Sequence, residues 1–332
     1  MALKQNNPFK KSNLIHPLAA PLFILAEPVV SIVGANRLIV LFAHLYPDQD
    51  GNINHDLIRN NLKYLVQECN VLPLREAMNS LDRNHKLPRR AVAIVVDDAT
   101  KAFEQVGRKL LKEVELPYTL AIIPGLIQDS GKENQIARLM RLAGHEYWLP
   151  NQEMLRNALA WFGSPIDEGA VSFELLFEKA RQLEEDQFEN LLLHVRAQDH
   201  HFMSWEELKQ LQAVDQVDFA SHTMSHPRLK LATGTWLDWE IGRSKELIQS
   251  NLGIEVDSLV APYGNPENFT ADLQQALVKY KYKYAFSTEK GTIGSRTKRH
   301  QLPRLNLEDE YWRLKLHTCP AVCSFLYSGG SD

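Results

Sequence analysis

The sequence predicts an α/β fold in which parallel strands, connected by helices, close as one barrel. From Arg37 onward, short apolar and β-branched runs alternate with amphipathic stretches, which is typical of β-α units around buried parallel strands. The chain has 332 residues, 44% hydrophobic and 23% charged, so it can bury one large core or two small ones. Polar residues that must meet in one pocket lie far apart in sequence, which favours a single domain over residues 37–332.

Six apolar runs are predicted to be strands. The first is apolar throughout, as expected of a strand that is buried on both faces. Apolar residues at helical spacing follow several of the runs. The predicted strands cover residues 38–43, 91–96, 118–123, 217–220, 259–261 and 284–286.

Residues 126–203 interrupt this alternation with mostly helical patterns, and we interpret them as an insertion over one rim of the barrel. The pattern Ser204-Trp-Glu-Glu207 predicts a capping box at the start of the next helix. Gly253 is expected to end a later helix, because glycine readily adopts the left-handed conformation common at that position.

Residues 1–36 are predicted to form an N-terminal arm. Lys10 and Lys11 precede an apolar stretch, Leu14 to Gly34, which three prolines and a glutamate interrupt. This stretch fits neither a membrane-spanning helix nor a standard secretory signal. We interpret it as an interfacial or docking arm, with an atypical export signal or a packed element as alternatives. The expected location is therefore the cytoplasm, with peripheral contact at the inner membrane.

Charge and cysteine content exclude several classes of protein. Lys and Arg total 37 against 41 Asp and Glu, a formal net charge of -4, so a general nucleic-acid binder is not expected. The three cysteines, Cys69, Cys319 and Cys323, are too few for a disulfide framework and form no Cys-x-x-Cys zinc motif. A metal would therefore be bound by histidines and carboxylates.

Candidate active-site residues are the polar residues that directly follow predicted strands, because barrel active sites gather at the carboxyl ends of the strands. They are His44, the pair Asp97-Asp98, the pair His222 and His226, and the segment Pro262-Tyr263-Gly264.

The two pairs strengthen each other as evidence for a metal site. His222 and His226 alone could lie on a solvated helix face, and Asp97-Asp98 alone could be a turn or an N-cap. Together they supply two imidazoles and a carboxylate for a divalent cation, plus a second carboxylate to act as a general base. A non-haem iron oxygenase can use a similar ligand set, but the adjacent aspartates argue against it.

The ordered set of motifs resembles the polysaccharide deacetylase (NodB-homology) family, and most of all its permuted poly-N-acetylglucosamine deacetylase branch. Three segments resemble the three motifs of the family: Val95-Val96-Asp97-Asp98-Ala99, His222-Thr-Met-Ser-His226 and Ala261-Pro262-Tyr263-Gly264. Two further segments resemble the start and the closing strand of that branch: Leu41-Phe-Ala-His44 and Leu302-Pro303-Arg304.

The resemblance implies an irregular, seven-stranded (β/α) barrel with a metal centre. Asp98, His222 and His226 would bind a divalent metal, most often Zn²⁺, and Asp97 would be the general base. The backbone N–H of Tyr263 would stabilise the oxyanion.

The general acid is expected to be His44, since the permuted branch carries this histidine near the N-terminus. His317 is the competitor, because many relatives have a C-terminal Leu-x-His. It ends a helical pattern that begins near Glu308, so we expect it on the surface.

The chain departs from the family pattern at two places. Val260 stands where many relatives have an arginine that pairs with the catalytic base, and we expect Arg304 to replace that arginine. Ala99 stands where a glycine is usual, so the backbone there must tolerate a Cβ atom.

The expected function is that of a metal-dependent N-deacetylase, a hydrolase of carbon–nitrogen bonds, acting on an N-acetylated sugar in a surface glycan or its lipid-linked precursor. One alternative is hydrolysis of another linear or cyclic amide at the same site. The other is a non-catalytic glycan-binding or assembly protein. Trp236 and Trp239 are equally compatible with stacking on sugars and with helix packing.

Overall fold

The computed structural model consists of one curved sheet of parallel strands with helices around it. It describes residues 36–45, 54–127, 131–144, 150–164, 170–195, 201–308 and 310–327. The predicted N-terminal arm lies outside these residues except for Asn36. The strands are β1 (Leu38–Ala43), β2 (Asn70–Val71), β3 (Ala91–Val96), β4 (Tyr118–Ile122), β5 (Val217–Ser221), β6 (Ser258–Val260), β7 (Tyr284–Phe286) and β8 (Leu305–Asn306).

Seven of these strands form a continuous path in the order β7-β6-β5-β4-β3-β1-β8, which confirms the predicted number. The two-residue β2 pairs with β3 beside this path. β2 was not predicted, because two residues give no apolar run. The pairing of β1 with β3 aligns Ala43 with Val96, so the residues that follow, His44 and Asp97, leave the sheet side by side.

The two ends of the path meet through the segment that precedes β8. The Ser287 N–H donates to the Leu302 carbonyl, and the Leu302 N–H donates to the Ala285 carbonyl, both at 2.8 Å. Three residues later the same segment enters β8, which pairs with β1. The sheet therefore closes as an irregular barrel, and the closing segment carries Arg304 to its rim.

Alternating side chains separate the barrel interior from the outer face of the strands. The outer set, which includes Ile39, Ile94 and Leu120, packs with the surrounding helices in the main core. The interior set includes Leu38, Val40, Ala91, Ala93, Val95, Ala121, Ala220, Val260, Tyr284 and Phe286. Polar residues that continue these strands therefore emerge above a packed apolar interior.

A helix at the amino ends of the strands completes the interior. Leu74, Ala77, Met78 and Leu81 lie on this helix and belong to the interior cluster. Arg75, beside Leu74, bonds to Asp257 at 3.2 Å just before β6. Apolar packing and the Arg75–Asp257 bond thus close the amino end of the barrel. The carboxyl end is left open for a functional site.

The helices surround the strands. They are α1 (His55–Glu68), α2 (Leu74–Asp82), α3 (Arg108–Glu113), α4 (Lys132–Gly144), α5 (Pro150–Trp161), α6 (Ala170–Gln182), α7 (Glu185–Val195), α8 (Trp205–Val214), α9 (Gly234–Asp238), α10 (Ser244–Leu252), α11 (Ala271–Lys279), α12 (Tyr311–His317) and α13 (Pro320–Tyr327). Five-residue π-helical turns, Phe103–Gly107 and Trp239–Arg243, precede α3 and α10, and short 3-10 turns lie at Pro124–Leu126 and Pro266–Asn268.

Several local predictions are confirmed. Four helices, α4 to α7, occupy the region predicted to be a helical insertion. Ser204 and Glu207 form the predicted capping box at the start of α8. Gly253 ends α10 with φ of 66°. In the part of the chain that the structure describes, no helix has the length and apolar character needed to cross a bilayer.

Candidate active site

Three side chains meet at the carboxyl rim of the barrel: Asp98, His222 and His226. Asp98 follows β3, and the two histidines lie on the turn that follows β5. The Nε2 atoms of His222 and His226 lie 3.4 and 3.5 Å from the same Asp98 oxygen, Oδ1. Within the described part of the chain, these residues are the group of potential metal ligands whose donor atoms all lie within 4.8 Å of one another.

The donor set fits a divalent first-row cation such as Zn²⁺. The Nδ1 atom of His222 lies 2.7 Å from the Val260 carbonyl, so Nδ1 carries the proton and Nε2 offers its lone pair to the centre. Such a hydrogen bond behind the ring is typical of metal-binding histidines. Two imidazole nitrogens and one carboxylate leave coordination positions open for water and substrate, as catalytic zinc requires.

Charge coupling within this cluster supports the same interpretation. Burial alone would raise the pKa of Asp98, but the His222 hydrogen bond and the charges of His226, His222 and His44 hold that pKa well below its usual range. Burial would lower the pKa of His222, yet Asp98 and Asp97 raise it above the ordinary value. The site therefore attracts positive charge, which a bound cation would supply in place of a proton.

Asp97 is held by Arg304 beside the candidate metal cluster of Asp98, His222 and His226. Arg304 Nη1 donates to both carboxylate oxygens of Asp97, at 2.8 and 3.0 Å, and its Nε donates to the Ser287 carbonyl at 3.0 Å. The guanidinium lies over the Phe42 ring, 4.8 Å from its centroid. Asp97 and Arg304 are only 4% and 1% exposed, so the pair is desolvated and fixed in one orientation.

His44 lies on the same rim with a carboxylate behind it. Its Nδ1 is 4.0 Å from an oxygen of Glu308, and its side chain is 37% exposed. Glu308 also accepts from the backbone N–H groups of His44 and Leu45, at 3.4 and 3.2 Å. The structure thus places a partly exposed imidazole in a segment that Glu308 fixes and that is bonded to the backbone of Asp97, since the Asp97 N–H donates to the Ala43 carbonyl at 2.9 Å.

Tyr263 completes the rim beyond His226. The two rings are 5.1 Å apart, and the Arg228 guanidinium lies 5.4 Å from the tyrosine ring. Tyr263 and Gly264 have φ of 60° and 55°, and a Cβ atom at Gly264 would come within 2.5 Å of the Thr288 nitrogen. A glycine is therefore required for this turn, which places the Tyr263 peptide at the rim.

The backbone at Asp98 and Ala99 is also left-handed, with φ of 78° and 53°. Ala99 is 3% exposed and its methyl group packs in the main core. The departure from glycine is thus accommodated by keeping the left-handed backbone and burying the added Cβ. Non-glycine residues with positive φ store strain of about 1–3 kcal/mol each and cluster at active sites.

The surface position predicted for His317 is wrong. This residue is 4% exposed, and its Nε2 lies 2.9 Å from the Tyr327 hydroxyl. Helical spacing placed it at the end of α12 but could not show that α13 packs over it. Trp236, at 1% exposure, packs with Phe173 and Phe177 from α6 and belongs to the core.

Two carboxylates at the site were not found by sequence analysis. Glu308 follows β8, so the rule that collects polar residues after strands would have found it if this two-residue strand had been recognised. Glu240 lies in the π-helical turn Trp239–Arg243 and is fully buried against the turn that carries the histidines. A charged residue in a helical pattern ordinarily indicates an exposed face, so Glu240 gave no signal.

Comparison with known proteins agrees with the fold and the motifs. Residues 187–285 match the family model described as polysaccharide deacetylase. That range contains both histidines and Tyr263. Among curated protein sequences, no match to this chain was found.

Solved structures of deacetylases share the fold at low sequence identity. The Streptococcus pyogenes deacetylase PplD, solved with acetate, is 16% identical over 82% of this chain and 92% of its own, with a TM-score of 0.54. IcaB from Ammonifex degensii is 15% identical over 86% and 97%, with a TM-score of 0.52. A de-N-acetylase from Aggregatibacter actinomycetemcomitans is 16% identical over 85% and 100%, with a TM-score of 0.53.

The family model matches less than half of the chain, and the structural likeness shows the fold. The predicted enzyme class, a hydrolase of carbon–nitrogen bonds, agrees with the family match. The resemblance of the motifs to the polysaccharide deacetylase family is thereby confirmed, by the match of residues 187–285 and by the shared fold.

Proposed function

We propose that the protein is a metal-dependent N-deacetylase that hydrolyses the acetamide group of an N-acetylated sugar, in a surface glycan or its lipid-linked precursor. The proposal rests on two groups of side chains that meet at one rim of the barrel. A set of three donor residues, two of them buried, lies next to a buried carboxylate that is already oriented by an arginine. The fold and the family match support the same chemistry.

A bound metal and Asp97 would together activate the attacking water. A divalent cation bound by Asp98, His222 and His226 would polarise the amide carbonyl and lower the pKa of an attacking water. Asp97 accepts the proton of that water at a carboxylate oxygen. Arg304 keeps this carboxylate oriented and compensates its charge, so the base is in place before the substrate arrives.

The remaining residues act on the acetyl carbon and on the leaving nitrogen. The Tyr263 N–H donates to the carbonyl oxygen as negative charge develops on it. His44, which is partly exposed at the rim, donates a proton to the sugar nitrogen as the carbon–nitrogen bond breaks. The proton taken by Asp97 balances the one given by His44, so acetic acid and a free amine are formed. The acid then ionises to acetate, and its proton passes to the amine or to solvent.

The substrate is proposed to be neutral at the position of attack. The net charge of -4 would not favour a strongly anionic polymer, and an acetamide carries no charge. A glycan polymer and a lipid-linked precursor both carry this neutral acetamide. They are distinguished by comparing the rate of acetate release from oligomers of different length and from lipid-linked sugars.

The decisive experiment measures acetate release from N-acetylglucosamine oligomers and from lipid-linked N-acetylated sugars. We expect activity that chelation removes and Zn²⁺ restores. Asp98→Ala should lose both Zn²⁺ binding and activity. Asp97→Asn and His44→Gln should bind Zn²⁺ normally but lower kcat by about 10²–10⁴-fold, the usual contribution of a general base or acid.

Asp218→Asn is the matched control. Asp218 lies on β5, well before the turn that carries the histidines, so its loss should leave kcat within about twofold. Full activity after chelation, or in Asp98→Ala, would refute the metal mechanism. Stoichiometric Zn²⁺ binding without acetate release from any N-acetylated sugar would favour another amide substrate or a non-catalytic protein.

A further inference from the structure

Glu240 is fully buried beneath the turn that joins the two histidine ligands, and its contacts are concentrated on that turn. Its Oε2 accepts from the backbone N–H groups of Met224 and Ser225, both at 2.9 Å. Its Oε1 accepts from the Ser225 hydroxyl and, at 2.9 Å, from the indole N–H of Trp236. One carboxylate thus receives four hydrogen bonds, three of them from residues between the ligands.

This turn needs external support because its backbone is strained. Thr223 and His226 have φ of 66° and 62°, and neither is a glycine. Such conformations cost about 1–3 kcal/mol each and persist only where the surroundings determine them. Inside the turn, the His226 N–H donates to the Thr223 hydroxyl at 3.1 Å. The other inward-facing N–H groups, those of Met224 and Ser225, are satisfied by Glu240.

The position of Glu240 depends on an irregularity in its own helix. The helical stretch that runs through α9 and α10 contains the π-helical turn Trp239–Arg243, and Glu240 is its second residue. A π-helical turn changes the direction in which the following side chains point, and such turns are frequent at functional sites. Gly242 permits close packing here, since a Cβ atom would lie 2.3 Å from the Tyr280 ring.

The hydrogen-bond partners of Glu240 also indicate that its carboxylate orients the turn and does not form an ion pair. All four are neutral N–H or O–H donors, and none supplies a compensating positive charge. Burial raises the pKa of Glu240 to about 7, although each of the four hydrogen bonds favours the ionised form. A buried carboxylate without a charged partner is costly for stability, and an apolar side chain in its place would leave the N–H groups of the turn without acceptors.

We propose that Glu240 is a positioning residue of the metal centre, which fixes the strained turn so that His222 and His226 are aligned before the metal binds. This inference rests on the proposed function, since it assumes that the two histidines are metal ligands. Glu240 reaches neither ligand itself and acts through Met224 and Ser225. Its loss should therefore weaken metal binding more than it weakens the fold.

The test is the Zn²⁺ dissociation constant of the full-length protein, measured by competition with a chromophoric chelator. Glu240→Gln replaces one acceptor oxygen with an NH₂ group that faces N–H and O–H donors. We expect its Zn²⁺ affinity to fall by about 10–100-fold, the range found when groups that orient metal ligands are removed. The visible spectrum of the Co²⁺-loaded protein should change as well, because the ligand geometry changes.

Trp236→Phe is the matched control, because it removes one donor to Glu240 and core volume but leaves the three contacts with the turn. It should lower the melting temperature while leaving Zn²⁺ affinity within about twofold. Ser225→Ala removes a single contact between the turn and Glu240, so it should weaken Zn²⁺ binding by a few-fold. If Glu240→Gln does not fold, the Zn²⁺ affinity of Ser225→Ala tests the inference instead.

The outcomes separate the inference from the proposed function. If the wild-type protein binds Zn²⁺ and the Glu240→Gln and Ser225→Ala variants bind it equally well, the inference is wrong and the proposed function stands. Equal losses of affinity in Trp236→Phe and Glu240→Gln would also overturn the inference, since general destabilisation would then explain both. If the wild-type protein binds no Zn²⁺, the metal-dependent function fails and the inference fails with it.

Discussion

At the scale of single residues, the Asp97–Arg304 pair should link the stability of the fold to the proposed catalysis. Replacing Arg304 with methionine keeps much of the side-chain volume but leaves Asp97 as a buried charge without its partner. We expect the free energy of unfolding to fall by about 3–5 kcal/mol, as when one partner of a buried ion pair is removed. Urea denaturation monitored by circular dichroism measures this change.

Two further variants show whether the charge is the cause. The double variant Asp97→Asn/Arg304→Met should recover part of the lost stability, because no buried carboxylate is left uncompensated. Lys230→Met breaks the more exposed pair with Glu267, which is joined at 2.8 Å, and should cost no more than about 1 kcal/mol. A similar loss in the Lys230 and Arg304 variants would contradict the argument.

Residues at the rim were predictable where they directly follow a strand. His44 and Asp97 lie side by side because β1 and β3 are parallel and in register, which apolar runs in the sequence already indicate. Arg304 was identified from the short Leu-Pro-Arg segment that closes the barrel. Glu240 was not predictable, because neither its burial nor the π-helical turn follows from residue spacing.

At the scale of elements, the start of α8 is joined to the loop that follows the Asp97-Asp98 strand. Ser204 caps α8 by accepting from the Glu207 N–H at 3.3 Å, and Glu207 in turn bonds to Lys101 at 2.6 Å. The Met203 N–H also donates to the Ala99 carbonyl at 3.0 Å. The end of the insertion is therefore anchored next to the left-handed segment that carries Asp98.

Ser204→Ala should lower the free energy of unfolding by about 1 kcal/mol, the usual cost of losing an N-cap side chain. Zn²⁺ affinity should stay unchanged, because Glu207 retains Lys101 and the Ala99–Met203 bond does not involve the serine side chain. Urea denaturation and Zn²⁺ titration of the same preparation measure both quantities. Ser250→Ala, at an exposed serine within α10, is the control and should change stability by less than about 0.5 kcal/mol. A loss of Zn²⁺ affinity in Ser204→Ala would show that the cap also shapes the site.

Elements with a strong local signal were predicted well, and those defined by packing were not. β1, β3 and β7 match their predicted bounds because each is a continuous apolar run. The role of α2 as the plug of the barrel was not predicted, because an amphipathic helix does not reveal which surface it covers. The same limit explains His317, whose burial depends on how α12 and α13 pack together.

At the scale of the whole molecule, the described residues form one barrel whose two ends have different chemistry. Packing and ion pairs fill the amino end, whereas the carboxyl end holds the buried Asp97–Arg304 pair and the cluster of Asp98 with the two histidines. Stability and function are thus separated along the barrel axis, as is usual for barrels with parallel strands. Residues far from the rim can therefore control the stability of the fold without a role in catalysis.

His317 is such a residue, and it should make the fold sensitive to acid. Burial, together with the nearby charges of Lys290 and Arg313, lowers its pKa from the ordinary 6.5 to about 4. The unfolded chain therefore binds a proton at this position between pH of about 6.5 and 4, whereas the folded protein does not. Stability from this group is complete above pH 6.5 and falls as the pH decreases, by up to about 3 kcal/mol.

The prediction is tested by urea denaturation of the wild-type protein and of His317→Gln at several pH values from 7.5 down to 4.5. Glutamine can still hydrogen-bond to the Tyr327 hydroxyl but does not titrate, so the variant should lose less stability on acidification. Asp98 and His222 titrate in both proteins, and their contribution cancels in the difference between the two curves. Parallel curves would mean that the buried imidazole of His317 does not set the acid sensitivity of the fold.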